Sequence, residues 1–227
     1  SGLDGALLPE PVMPVQSTHA VDFIIDTLRA AAPKTITLCP LGPLTNIATA
    51  LQRAPDIAER IAQIVLMGGA YFEVGNITPA AEFNIYVDPE AAQLVFESGV
   101  DLVVAPLDVT HKALTSPDWS AALRGKNHPI CEVVAGWTEF FERFDTEKYG
   151  SKGAPLHDPC VIAYLIAPEI FSGRRVNVEI ETHSDLTRGM TVADWWGVTV
   201  RPANTLFLGS IDAAKYFDLI THRLAQL

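Results

Sequence analysis

Ten residues, Gly75-Asn76-Ile77-Thr78-Pro79-Ala80-Ala81-Glu82-Phe83-Asn84, bring two amides and a carboxylate together around a Thr-Pro turn. A carboxylate only accepts hydrogen bonds, whereas an amide both donates and accepts, and vicinal sugar hydroxyls require both kinds of partner. Asn76, Glu82 and Asn84 therefore form a candidate site for a polyhydroxylated small molecule. An Asx-turn loop with a solvated Glu82 is the structural alternative. A second constellation is Pro155-Leu156-His157-Asp158-Pro159-Cys160. Here His and Asp are adjacent at an expected helix start, where the carboxylate could face a cation and the imidazole a substrate. The alternative is an aspartate that caps the helix beside an incidental histidine. Cys39, Cys131 and Cys160 are odd in number and form no C-x-x-C pair. That argues against a disulfide framework, a zinc site or cysteine catalysis, and all three are expected as buried free thiols.

These groups need a scaffold, and the hydrophobic pattern supplies one. Ile64-Val65-Leu66-Met67-Gly68-Gly69 is short, apolar and closed by glycines, as a buried parallel strand is. Polar residues on the loop leaving such a strand lie where open α/β sheets take small ligands. Around it the chain reads as a helix over 19–32 ended before Pro33, a strand over 35–39, a helix over 47–53, a helix over 57–62 and strand 63–67. Helix 88–98 follows, with Asp88 as N-cap and Pro89 at its first position, and then strand 101–105. Alternation of apolar strands with helices predicts an α/β fold with a mostly parallel central sheet covered by helices on both faces. Residues 116–149 are predicted helical, with Ser116 as N-cap and Trp137, Phe140, Phe141 and Phe144 at helical spacing, most simply a packing stripe. A helix over 155–166 and paired strands over 176–182 and 189–193 come next, with 194–201 continuing the pairing. A closing helix over 211–224 follows, and residues 1–18, rich in Pro and Gly, read as an irregular lead-in.

The 227 residues suit a single domain, 1–227. Sixteen Lys and Arg against 27 Asp and Glu give a net charge of -11. That balance excludes phosphate-backbone and anionic-membrane partners as expectations. No apolar stretch approaches the ~20 residues needed to cross a bilayer, and a soluble cytoplasmic protein is expected.

GNITPAAEFNIYVDPEAA, preceded by IVLMGGA and by Leu41-Gly42-Pro43-Leu44-Thr45-Asn46-Ile47-Ala48, resembles the inosine-uridine-preferring nucleoside hydrolase family. Pro106-Leu107-Asp108-Val109-Thr110-His111 and Leu156-His157-Asp158-Pro159-Cys160 resemble two further blocks of that family, in its order. The resemblance implies a nucleoside hydrolase-like fold and hydrolysis of the N-glycosidic bond of ribonucleosides, through an oxocarbenium-like sugar and a water held by calcium. It places Asn76, Glu82, Asn84 and Met67 on the substrate, with the first three on the ribose. His157 would assist departure of the base, and Phe140 and Phe141 would enclose it. Asp158 and the Leu41 carbonyl would be calcium ligands. A homo-oligomer acting on a ribonucleoside is expected.

The family's aspartate-rich opening, Asp-x-Asp-Pro-Gly-x-Asp-Asp, has no counterpart here, so the chain is expected to be shortened at its start, with N-terminal strands missing. Asp4, Asp22, Asp26, Asp108 and Asp145 are isolated. Of these, Asp108, at a strand end, is the one that could reach the pocket as a substitute. One carboxylate and one carbonyl fall short of the six to eight oxygens calcium takes, so the chain alone would be inactive unless complemented. A non-catalytic ribose or nucleoside binder, using a partner to supply the missing strand, is the alternative. An inert domain retaining only the fold is the third possibility.

Overall fold

Segments 61–67 and 102–105 of the main sheet are short apolar runs that leave almost no face for water, and this fixes where the helices must lie. A computed structural model describes residues 4–150 and 153–227. Backbone packing divides the chain into two compact units, Gln16–Val109 with Phe171–Ser210, and Thr110–Ile170 with Ile211–Leu227 and the residues up to Val15.

The first of these units holds the sheet. Its strands are β1 (Ile36–Leu38), β2 (Ile61–Met67), β3 (Leu102–Ala105), β4 (Phe171–Val176) and β7 (Thr205–Ile211), the last reaching one residue past the unit's end. They lie in the order β1-β2-β3-β7-β4, and β1 with β2, β2 with β3 and β3 with β7 pair in parallel. The register sets Leu38 beside Ile64 and Met67 beside Ala105, so β2 and β3 end level, with their C-terminal loops starting together. All four residues of β3 are buried, as are Ile64 to Met67. Helices α1 (Ala20–Ala30), α2 (Thr45–Arg53) and α4 (Pro89–Phe96) contribute Val21, Ile25, Leu28, Ile47, Leu51, Ala92, Val95 and Phe96 to the same core. Asp88 caps α4 by accepting from the Ala91 N–H at 3.1 Å, with Pro89 at the first helical position. A separate antiparallel pair, β5 (Val178–Ile180) and β6 (Thr191–Ala193), buries Val178, Ile180 and Ala193 in that core.

The other unit is helical. It contains α6 (Pro117–Arg124), α7 (Pro129–Tyr149), α8 (Pro159–Ile166) and α9 (Ala213–Leu224). Ser116 caps α6 through the Trp119 N–H at 3.1 Å. Trp119 and Phe217 stack at 4.8 Å between centroids, and the Trp119 indole N–H donates to Thr221 Oγ1 at 2.8 Å. Short α3 (Phe83–Val87) and α5 (Leu107–Thr110) follow the C-terminal ends of β2 and β3.

The predicted α/β class with a mostly parallel sheet is realised, and the local differences have physical reasons. Segment 57–62 is a 3₁₀ turn, Pro55–Arg60, and β2 begins at Ile61 because Ile61 and Ile64 are both fully buried. The 116–149 stretch is two helices, broken where Asn127 takes a positive φ of 51° ahead of Pro129. Val198 to Arg201 is not a strand: Val198 and Val200 are 84% and 104% exposed. The strand lies instead at β7, whose Phe207 and Leu208 are buried. Strand β4 was also not foreseen, because its pattern of two buried ends around four exposed residues has neither period 2 nor an apolar run.

Candidate active site

The loop leaving β2 is built on a single buried carboxylate. Glu82 is 2% exposed and accepts from the N–H groups of Gly69 at 2.9 Å, Asn84 at 2.9 Å and Ile85 at 3.3 Å. It thus caps α3 and ties it to the glycine turn that ends β2. The alternative of a solvated Glu82 is overturned. Asn84, 8% exposed, donates its side-chain amide to the Met67 carbonyl at 3.0 Å and approaches Met67 Sδ at 3.5 Å. Asn76 accepts from the Phe83 N–H through Oδ1 at 2.9 Å, which orients its amide nitrogen away from the helix start. Thr78 Oγ1 accepts from Ala80 and Ala81, and the Gly75 N–H donates to the Pro79 carbonyl at 3.1 Å, which closes the Thr-Pro turn. The structure thus joins Met67, Asn76, Glu82 and Asn84 into one hydrogen-bonded cluster around the start of α3.

Asp108 is a second buried carboxylate beside this loop. It is 4% exposed, and its oxygens accept from the N–H groups of Tyr71 at 2.9 Å, Phe72 at 2.7 Å and Glu73 at 3.3 Å. Three backbone donors occupy it, and its work is to hold the start of the 71–75 loop. Leu41, on the loop after β1, is 42% exposed.

In the helical unit, a short antiparallel pairing delivers His157. The Thr115 N–H donates to the Ala154 carbonyl and the Leu156 N–H to the Ala113 carbonyl, both at 2.9 Å. The Tyr216 hydroxyl donates to the Leu156 carbonyl at 3.0 Å. His157 Nδ1 lies 2.7 Å from Thr110 Oγ1, with the proton on either atom according to the tautomer, and its ring centroid is 5.8 Å from that of His111. Burial, and secondarily the charge of His111, lower the His157 pKa to about 4, so its imidazole is neutral near pH 7. Asp158 stands at the N-cap position of α8 but in helical conformation and makes no capping bond, so the capping alternative fails. Its side chain reaches solvent, while the protein packed around it raises its pKa above the ordinary carboxylate value. Phe141 on α7 is 48% exposed and Phe140 part-buried, while Phe144 lies outside the described side chains. Cys131 and Cys160 are buried and Cys39 part-buried, all free, and burial pushes the Cys160 thiol up to about 12, which rules it out as a nucleophile.

Among the described residues no group of three or more His, Cys, Asp or Glu side chains is placed to hold a metal ion. Asp158 is a single carboxylate without a second beside it, and calcium takes six to eight oxygens. The residues present do not by themselves fit that ion. Thr110, His111 and the bracing role of Asp108 were not foreseen. Their block carries the family resemblance, but nothing in its spacing says which side chain meets which.

A mostly parallel sheet whose β2 loop carries a buried carboxylate between two amides, where such sheets take small ligands, defines an α/β protein with a polar loop of the ligand-binding kind. The family model described as "Inosine-uridine preferring nucleoside hydrolase" matches residues 1–218, and the chain belongs to this family. It is 46% identical over 226 residues to the "Pyrimidine-specific ribonucleoside hydrolase RihA" of Citrobacter koseri, covering 99% of this chain and 72% of that one. An uncharacterized protein of Schizosaccharomyces pombe is 52% identical over all of this chain and 73% of its own. The structure superposes on the "Purine-Preferring Ribonucleoside Hydrolase from Gardnerella vaginalis" with a TM-score of 0.90 at 30% identity, covering 99% of this chain and 71% of that one. The chain is an enzyme of the ribonucleoside hydrolase type, an N-ribohydrolase.

Proposed function

We propose that the preferred substrates are pyrimidine ribonucleosides, cleaved at the C1′–N bond to ribose and free base. The observation that supports this reading is the buried Glu82 cluster, in which Glu82 accepts from Gly69 and Asn84, Asn84 donates to the Met67 carbonyl and Asn76 accepts from Phe83, so that the three residues assigned to the ribose share one loop and helix start. Similarity to RihA favours the pyrimidine class. In this reading Asn76 and Asn84 present amide donors and acceptors to the sugar hydroxyls, contacts that tighten as the ring flattens toward an oxocarbenium ion. Glu82 holds them, and any contact of its own with the sugar uses acceptor capacity left beside three backbone donors. His157 serves the leaving base as a neutral hydrogen-bond donor, because an imidazole with a pKa of about 4 is not an imidazolium near pH 7. Phe140 and Phe141 are assigned to the base.

Calcium belongs to this reading by family resemblance, with Asp158 and the Leu41 carbonyl as ligands. The described residues supply no complete ligand set for it. A homo-oligomer and a cytoplasmic setting complete the proposal. Among the described residues no helix is long and apolar enough to cross a membrane.

The test is ribose release from uridine, cytidine and inosine by the purified protein, with added calcium and with a chelator. Faster release from the pyrimidines is the expected result wherever release occurs, and once a complementing segment completes the calcium ligand set the chelator is expected to abolish it. Faster release from inosine overturns the pyrimidine assignment, and chelator-insensitive release overturns the calcium assignment.

A further inference from the structure

Two glycines with positive φ lock the ribose-side loop onto a separate piece of β structure. Gly69, at φ +80°, ends β2 and donates its N–H to Glu82. A Cβ placed there would lie 2.7 Å from Thr191 Oγ1 and 3.3 Å from both Thr191 Cβ and Cγ2. Thr191 opens β6, is 1% exposed, and its hydroxyl has no hydrogen-bond partner, so its side chain meets the turn by shape rather than by a bond. Gly189, at φ +81°, lies one residue beyond Arg188 on the same hairpin. A Cβ there would lie 2.9 Å from Tyr86 Cα and 3.3 Å from Ala81 Cβ, so the hairpin backbone presses on α3. Arg188 fastens the hairpin from outside, through a forked pair to Glu90 at 2.6 and 2.7 Å on α4 and a short bond to the Thr182 carbonyl.

Each contact falls one step from the groups assigned to the sugar. Thr191 fills the space a side chain at Gly69, the donor to Glu82, would need, and the α3 helix that carries Asn84 fills the space a side chain at Gly189 would need. Close-packed interiors transmit such contacts because there is no void to absorb a shift. We propose that the β5–β6 hairpin is a positioning element for the ribose-binding groups, acting through Thr191 on Gly69 and through Gly189 on Tyr86. The inference rests on the reading of the Asn76-Glu82-Asn84 cluster as the sugar site. Neither residue touches substrate in it.

The test compares Thr191→Ala, Thr191→Val and Gly189→Ala with the unsubstituted protein. Uridine kcat and KM, binding of D-ribose and of uracil by calorimetry, and thermal unfolding are measured. Thr191→Ala removes the two γ atoms beside Gly69, leaving Cβ, and is expected to lower kcat/KM for uridine and ribose affinity by about tenfold or more, with uracil affinity unchanged. Thr191→Val restores both γ atoms and, since the hydroxyl has no partner to lose, is expected to recover most of that loss. Gly189→Ala is expected to behave as Thr191→Ala or worse. Ribose affinity unchanged in Thr191→Ala, parallel losses of ribose and uracil affinity, or failure of Thr191→Val to rescue a stably folded protein would each overturn the proposal. If the unsubstituted protein neither releases ribose from uridine nor binds it, the functional reading falls and takes this inference with it. If it does both and Thr191→Ala matches it, only the inference falls.

Discussion

Asp108 and Glu82 are two buried carboxylates on neighbouring loops, and each accepts three backbone N–H groups. A net hydrogen bond contributes about 0.5–1.5 kcal/mol, and a buried N–H left without its acceptor costs about 1–3 kcal/mol, so both act first as structural pins. Asp108→Asn turns an N–H2 toward amide donors and is expected to destabilise by about 2 kcal/mol in denaturant unfolding. Activity lost at unchanged stability would show instead that Asp108 takes part in the chemistry. Asn84→Ala is expected to weaken ribose and ribonucleosides more than free base, and equal losses for both would refute its sugar-facing assignment. For His157 the sign follows from burial. An unfolded imidazole takes up a proton as pH falls below about 6.5, whereas the folded one resists until about 4. The unfolded state therefore binds more protons across that window, and stability is full above 6.5 and declines as pH falls to 4, by up to about 3 kcal/mol. Urea midpoints of the native protein and of His157→Gln, compared across this range, check it. A slope that is the same in both would mean that other groups carry the acid sensitivity.

At the scale of elements, α4 shows local chemistry and tertiary context agreeing. Asp88 accepts from the Ala91 N–H within its own helix and also from the Thr45 hydroxyl at 2.5 Å on α2. Asp88→Ala is expected to cost about 1–2 kcal/mol, more than the ~1 kcal/mol typical of a lost cap, because the Thr45 bond goes with it. Double substitution with Thr45→Val separates the two contributions, and strict additivity would deny the coupling. Asp158 shows the opposite case: a residue type and position that suit capping, in a conformation that does not cap.

For the molecule as a whole, the charge of -11 sets the class of partner. The protein is expected to pass unretained over heparin at about 0.1 M salt, and retention would reveal a basic face that the net balance conceals. The α/β class, the helices α1, α2, α4 and α9, strands β1 to β3 and the loop carrying Asn76, Glu82 and Asn84 were legible in sequence. Their signals are local: apolar runs bounded by glycines, helical spacing, Asp-Pro at a helix start. The two-unit grouping, in which residues up to Val15 join Thr110–Ile170 and Ile211–Leu227, was not legible, since it depends on contacts between distant segments.

The sequence by itself determined which side chains could do chemistry and the periodicity of the elements that carry them, because composition and spacing act over a few residues. Only the tertiary structure decided what each group is bonded to. It made Glu82 a buried pin rather than a solvated side chain, turned Asp108 onto three amides, and left Asp158 uncapped. It placed β7 between β3 and β4 and set Thr191 against Gly69 across 121 intervening positions. Burial and pairing are properties of neighbours in space, and a linear pattern does not name those neighbours when the chain between them folds through the rest of the sheet.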